Sequence, residues 1–347
     1  LLCIYKLVWL DKRSQAKYKA YVANLREPTT TDIIAKPLPP SEAQKIPSSR
    51  KPDWLRTRPP AGENFLKIKE LLRKGLLHTV CEEAHCPNLA ECWAGGTATF
   101  MLAGDTCTRA CRFCAVKTTR QPPPLDPAEP EKIAKSVAEL KLRYVVLTSV
   151  DRDDLADGGA SHFASTIKAI RRVPKITPRI MPRIMVESLV PDFCGNASAV
   201  KTVVEARPDV YGHNIETVYR LQNRVRDPRA GYLQSLATLR MAKSLASSCG
   251  FDLLTKSSIM LGLGETEAEI EEIFDDLRSS GVDILTLGQY LRPSLKHLPV
   301  ERYFSPEEFE RLKTSAMTRG FLFVAAGPMV RSSYRAGEFL MLSQKKE

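Results

Sequence analysis

The 347 residues, 43% hydrophobic and 26% charged, suffice for one large domain or two ordinary ones. Nine cysteines in a chain this long do not make a small disulfide scaffold, and no apolar run approaches the roughly eighteen residues of a membrane helix. The net charge of +11 points to a solvated basic surface, a basic leader or an acidic partner.

The opening "LLCIYKLVWLDKRSQAKYKAYVANLR" is interrupted by Lys6 and carries no small-residue cleavage site. It reads as a basic organellar leader rather than a secretory signal. Residues 28–62, rich in proline and serine, predict an extended arm, with Trp54 and Leu55 docking it onto the body. Phe65, Ile68, Leu71 and Leu72 recur at helical spacing, and Gly75 lies near the end of that helix.

Beyond residue 97, short β-rich runs alternate with helical segments. The runs are 98–104, 144–150, 183–190, 209–215, 255–263, 283–291 and 321–327. Among the helices, Ile133, Val137 and Leu140 share one face, as do Ile270, Ile273 and Leu277. Ser305, Pro306 and Glu308 form an N-cap, first position and capping box. Continuous apolar strands at this pitch predict an α/β fold, a full or partial (β/α) barrel of TIM type. Polar residues gather after the strand ends, the face on which such barrels place their sites. "PRIM" occurs twice, at 178–181 and 182–185, which leaves the start of the third strand open.

Six cysteines fall within 34 residues in two triplets: Cys81, Cys86, Cys92 and Cys107, Cys111, Cys114. A structural zinc site prefers paired C-x-x-C knuckles supplying four ligands, and each triplet offers three. Soft thiolates at short loop spacing also suit iron–sulfur clusters. Cys3, Cys194 and Cys249 belong to no motif and read as free thiols, inert if buried. His78, His162 and His297 read as packing or surface residues.

The C-x-x-x-C-x-x-C triplet, with Phe113 before its last cysteine, resembles the radical S-adenosylmethionine superfamily. The C-x4-C-x5-C triplet upstream narrows the likeness. With "VLTSVDRDDLADGGA", "HNIETV", "SSIMLGLGET", "TLGQYLRPSLKHLPV" and "GPMVRSSYRAGE", the chain from about Lys51 to Phe339 is similar to the lipoyl synthase family.

The resemblance implies two 4Fe–4S clusters and S-adenosylmethionine. Cys107, Cys111 and Cys114 would hold the radical-generating cluster, whose open iron binds the cofactor. Cys81, Cys86, Cys92 and Ser333 would hold an auxiliary cluster that donates sulfur. Asn214 and Glu216, two apart at a strand end, would contact the cofactor, and Arg226 would meet its carboxylate. A surface salt bridge is the alternative for Arg226. Gly262 and Gly264 are either turn glycines or points of close approach to the cofactor. Asp151, Asp153 and Asp154 are either a solvated acidic loop or part of the site, and Asp151 is taken as a cofactor contact.

The implied activity is sulfur insertion at the sixth and eighth carbons of an octanoyl chain on a lipoyl-domain protein. The implied partners are octanoylated 2-oxoacid dehydrogenase acyltransferase subunits and the glycine-cleavage H protein. A ferredoxin- or flavodoxin-type reductant and an iron–sulfur cluster carrier are implied as well, with no nucleic acid and no membrane. The expected compartment is the mitochondrion, with plastid, or bacterial cytoplasm, as alternatives. The organisation expected is a leader and arm (1–60), an auxiliary-cluster segment (61–97), the barrel (98–320) and a C-terminal strand with the R-S-S-Y segment (321–347). Alternatives are a tRNA methylthiotransferase or biotin synthase type of enzyme, an iron–sulfur electron carrier, or a zinc-stapled nucleic-acid module.

Overall fold

Each apolar run read from the sequence becomes a strand of one sheet. The structure is a computed structural model and describes residues 51–55, 63–75, 77–83, 88, 97–174 and 183–333. The strands are β1 (His78–Thr79), β2 (Thr97–Leu102), β5 (Tyr144–Ser149), β6 (Met185–Leu189), β7 (Val210–Gly212), β8 (Leu254–Leu261), β9 (Ile284–Gln289) and β10 (Phe323–Gly327). They hydrogen-bond in that order, β1 antiparallel to β2 and every later pair parallel. Two short strands, β3 (Thr106–Cys107) and β4 (Lys117–Thr118), pair with each other and bracket the second cysteine triplet.

The helices are α1 (Glu63–Gly75), α2 (Val80–Glu83), α3 (Glu129–Glu139), α4 (Ala160–Arg171), α5 (Ala197–Glu205), α6 (Gln222–Val225), α7 (Tyr232–Ser248), α8 (Glu267–Ser279) and α9 (Pro306–Thr318). Helices link the parallel strands throughout, and β1 and β10 remain edges, so the (β/α) barrel is partial. The last strand, read above as part of the C-terminal segment, belongs to this same sheet.

Alternation along the strands sorts the side chains onto two faces. Val145, Leu147, Val186 and Tyr211 pack outward against Ile133, Val137, Phe163, Ile167 and Val200. Leu261, Leu285 and Leu287 do the same against Ile270, Phe274, Leu277 and Phe309. The opposite face carries a buried polar triad. Tyr144 donates to Glu187 at 2.6 Å, and Lys256 Nζ lies 2.8 and 2.9 Å from the two oxygens of Glu187. The charge pair is thus neutralised and hydrogen-bonded in the buried interior.

Helix starts follow the sequence closely. Ser305 and Glu308 complete the expected capping box, and Thr266 with Glu269 forms a second one. Two expectations need adjustment. Leu55 is buried, but Trp54 is 44% exposed, so of the two residues expected to dock the arm only leucine is buried. The first "PRIM" copy lies outside the described residues. In the second, Arg183 pairs with Asp209, Ile184 is buried and Met185 begins β6.

Past β10 the chain turns back over the barrel mouth. Val330 N–H bonds Gly327 at 3.1 Å, and the Val330 carbonyl lies against Gly288 of β9. A Cβ at position 288 would stand 2.0 Å from that carbonyl oxygen, a contact that forces backbone to move. At Gly327 the nearest contact would be an ordinary 3.4 Å to Val330 Cγ2. Gly288→Ala is therefore expected to displace the turn and strip hydrogen-exchange protection from the Val330 amide, while Gly327→Ala retains it. Equal protection in both variants would contradict this packing.

Candidate functional site

The second cysteine triplet sits on a loop stitched to four strand ends. Thr108 donates through N–H and hydroxyl to Asp151 O, at 2.9 and 3.0 Å, after β5. Ala110 N–H meets Asp227 Oδ2 at 2.9 Å and Arg112 N–H meets Val225 O at 2.9 Å, both in the segment after β7. His297, after β9, donates from Nε2 to Cys114 O at 3.0 Å. Read from the sequence as packing or surface, His297 instead fixes the loop's far end. His162 pairs with Glu129 in the core and His78 lies 3.4 Å from Glu83, as packing residues would.

The fourth tie is Arg109, between Cys107 and Cys111, which sequence reading passed over. It is 3% exposed. Its Nε and Nη2 grip Asp153 at 2.8 and 2.9 Å, and its Nη1 and Nη2 grip Asp192, after β6, at 3.1 and 2.8 Å. Asp151 lies 3.3 Å from Nη1. Burial alone would raise Asp192, but the charge and hydrogen bonds of Arg109 hold it well below the usual carboxylate range. Asp151 behaves oppositely. Burial pushes it up to about 6, with Asp192 and Asp153 adding to the rise against the pull of Arg109. The acidic loop is thus neither plainly solvated nor uniform. Asp153 and Asp154 are consumed by ion pairs with Arg109 and Arg152, and Asp151 faces Cys107.

Backbone amides point at the thiols. Cys107 Sγ receives N–H groups from Arg109 at 3.4 Å and Asp151 at 3.3 Å, and Cys111 Sγ receives one from Asp227 at 3.3 Å. A Val116 amide serves Cys114. Such donors stabilise cluster thiolates. Burial pushes the Cys107 thiol up to about 12 and Cys114 to about 11, and raises Cys111 too. Each would lose its proton on metal binding, so assembly at this loop strengthens as pH rises. Among the described residues, no three His, Cys, Asp or Glu side chains converge on a single metal ion, as a zinc site requires. A cube that gives each thiolate its own iron fits this donor set.

Cofactor candidates converge nearby. The strand expected over 209–215 stops at Gly212, so period two does not align Asn214 with Glu216. They meet because Glu216 adopts a left-handed φ of 68°, fixed by bonds to Ser258 O and from Met260 N. Asn214 then hydrogen-bonds Glu216, whose pKa burial raises against the pull of Arg226 and Asn214. Arg226 is buried, with its charge bearing on Cys111, Asp151 and Glu216. Among the described residues it forms no salt bridge at the surface. Gly262 and Gly264 have φ of 106° and 105°. The space beside Gly262 is filled by Gln289 and the Arg302 carbonyl, and Glu265 accepts from the Gly262 and Leu263 amides. Gly262 is thus held by its own chain, whereas beside Gly264 the nearest atoms, of Glu301 and Arg224, would lie 3.7 and 4.0 Å from a Cβ.

Of the first triplet, Cys81 lies on α2, and Cys86 and Cys92 fall outside the described residues. Asn88, between those two, is buried and donates to Met329 O at 2.5 Å. That bond brings the first triplet's segment to the turn leading to half-buried Ser333. Cys194 and Cys249 are free thiols as expected, but neither is buried. Both are exposed, Cys194 because Phe193 and Cys194 take left-handed φ of 49° and 51° and turn it outward beside Arg109. Cys3 lies outside the described residues.

A parallel-stranded partial barrel with a three-cysteine loop at its C-terminal mouth defines a class. Residues 101–277 match the model of the Radical SAM superfamily, and the chain is a member, a class that uses a 4Fe–4S cluster and S-adenosylmethionine. Residues 15–86 match the N-terminal domain of lipoyl synthase of the radical SAM family. The chain is 55% identical to the lipoyl synthase of Anaeromyxobacter sp. strain Fw109-5 over 85% of this chain and 96% of that protein. It is 55% identical to the mitochondrial lipoyl synthase of Danio rerio over 84% of this chain and 72% of that protein. The chloroplastic lipoyl synthase of Ricinus communis is 50% identical over 99% of this chain and 93% of that protein. The chain belongs to the lipoyl synthase family.

The clamp has a measurable consequence. Arg109→Leu leaves buried Asp192 without its ion-pair partner and Asp153 with Arg229 alone, and should lower the unfolding free energy by about 3–5 kcal/mol. Arg109→Leu with Asp192→Leu should recover part of that loss in denaturant titrations of the anaerobic protein. A loss below about 1 kcal/mol, as for an exposed pair, would contradict the clamp.

Proposed function

We propose that this chain is a lipoyl synthase, replacing two C–H bonds of a protein-bound octanoyl group, at its sixth and eighth carbons, with C–S bonds. The observation that carries the reading is the bond from Asn88 to Met329, which joins the first triplet's segment to the Ser333 turn. It supports a second cluster site built from Cys81, Cys86, Cys92 and Ser333, separate from the loop of Cys107, Cys111 and Cys114. Two sites match a reaction that needs both a radical source and a sulfur source. When bound, the loop cluster and S-adenosylmethionine supply one-electron reduction and a carbon radical strong enough to take hydrogen from an unactivated C–H bond.

This chain's residues provide the setting. Cys107, Cys111 and Cys114 offer three thiolates, steadied by backbone amides. Asn214, Glu216, Arg226 and Asp151, coupled to one another by charge and hydrogen bonding, would hold the cofactor's amino-acid portion, with Gly262 and Gly264 in left-handed turns as further candidate contacts. Val330, seated on Gly288, holds the Ser333 turn across the mouth. Serine is a harder ligand than cysteine and releases iron more readily, which suits a cluster dismantled as it yields sulfur.

The acyl acceptors are octanoylated lipoyl domains of 2-oxoacid dehydrogenase acyltransferase subunits and the glycine-cleavage H protein. A ferredoxin- or flavodoxin-type donor supplies electrons, and a cluster carrier rebuilds the sulfur source. The four-part organisation read from the sequence remains part of this proposal, with the C-terminal strand as the edge of the partial barrel. The compartment is a mitochondrion, with a plastid or a bacterial cytoplasm as alternatives, since the relatives include bacterial, mitochondrial and chloroplastic lipoyl synthases.

The test is mass spectrometry of an octanoylated lipoyl domain after anaerobic incubation with enzyme carrying isotopically heavy sulfide, S-adenosylmethionine and reductant. The product should gain two heavy sulfur atoms. Ser333→Cys should keep the iron of both clusters yet make less product by about tenfold or more, on the scale by which ligand changes alter metal sites. Absence of heavy sulfur in the product, or wild-type turnover by Ser333→Cys, would refute the assignment of the sulfur source.

A further inference from the structure

Arg226 is held by a hydrogen-bond chain whose direction the geometry determines. Val190 O can only accept, so His213, 2.8 Å away through Nδ1, carries its proton there. Burial, reinforced by the charge of Arg226, lowers the His213 pKa to about 4, so the ring is neutral and Nε2 is an acceptor. Ser235 Oγ, 2.9 Å from Nε2, must therefore donate its hydrogen to the ring. Its lone pairs are left to accept from Arg226 Nη1 at 2.8 Å.

A second prop meets the same nitrogen. The Gln222 carboxamide donates from Nε2 to Ile215 O and Thr217 O, at 3.0 and 2.6 Å, on either side of Glu216. That leaves Gln222 Oε1 to accept from Arg226 Nη1 at 3.3 Å. Both props engage Nη1, and among the described residues no hydrogen bond to protein occupies Nε or Nη2. The Nε/Nη2 edge is the one with which Arg109 grips the Asp153 carboxylate in this same molecule. It is the planar fork that matches a carboxylate with two parallel bonds.

We infer that His213 and Ser235 are positioning residues that turn the free edge of Arg226 toward the carboxylate of the bound cofactor, with Gln222 as a second prop. This rests on the cofactor reading under "Proposed function". Neither His213 nor Ser235 touches the ligand. They act by fixing which edge of the guanidinium is free.

The test uses anaerobically reconstituted holoenzyme and two probes, S-adenosylhomocysteine and its carboxylate-free counterpart S-adenosyl-3-thiopropylamine, with dissociation constants measured calorimetrically. Ser235→Ala removes only the hydroxyl from helix α7, and unchanged iron content shows that the variant is loaded. It should weaken S-adenosylhomocysteine about tenfold, the loss of one charge-assisted hydrogen-bond arrangement. The carboxylate-free probe should change by less than about twofold, since it has no group for the fork to grip. His213→Phe should give the same selective loss, and the double variant no more than either alone, because both act through one guanidinium. Equal weakening of both probes would assign the two residues a merely structural role and overturn the inference, as would unchanged binding by Ser235→Ala. If wild-type enzyme itself bound the two probes equally, the carboxylate contact of Arg226 would fall with it. If it bound neither, the cofactor reading beneath both would fall.

Discussion

One buried guanidinium holds the active mouth together. Arg109 has three carboxylates from the ends of two strands around it and lies between two of the cysteines. An unpaired arginine or an unpaired Asp192 at that depth would cost several kcal/mol. The cysteine loop therefore has one low-energy position, the one that satisfies all of these charges. Thr108, Ala110, Arg112 and Cys114 then add backbone ties to the segments after β5, β7 and β9. A loop that must present three thiols to a preformed inorganic cube needs such rigidity, because small misplacement weakens every ligand bond at once.

The same economy shapes the opposite side of the mouth. Glycine at 288 lets the chain after β10 lie against the sheet, with the Val330 carbonyl in the gap. Asn88 reaches across to that turn. Two segments more than two hundred residues apart in sequence thereby meet. The lower barrel is closed off by the Tyr144–Glu187–Lys256 triad, which fills the concave face with paired rather than solvated charge.

The scaffold was legible in the sequence wherever the cause was local. Hydrophobic period located every parallel strand to within a few residues, and Ser305, Pro306 and Glu308 marked the start of α9 because a capping box acts over three residues. The cysteine loop was legible because its chemistry is written in its spacing. Arg109 was not, since its partners lie 44 and 83 residues away and nothing beside it in sequence announces them. His297 was missed for the same reason, with 183 residues separating it from Cys114. Asn214 and Glu216 were paired correctly for the wrong cause: a left-handed residue brings them together, not a continuing strand. Exposure of Cys194 followed from two consecutive left-handed residues that no side-chain pattern signals.

The central claim is that the two triplets perform separate tasks, one generating the radical and the other supplying sulfur. The most direct measurement compares Cys111→Ala with Cys86→Ala for iron content and 5′-deoxyadenosine formation under anaerobic reducing conditions. Each should retain about half of the wild-type iron, because each triplet holds its own cluster. Cys111→Ala should form no 5′-deoxyadenosine, while Cys86→Ala should still form it and make no lipoyl product. Deoxyadenosine formation by Cys111→Ala, or its loss in a Cys86→Ala enzyme that retains half its iron, would contradict the division.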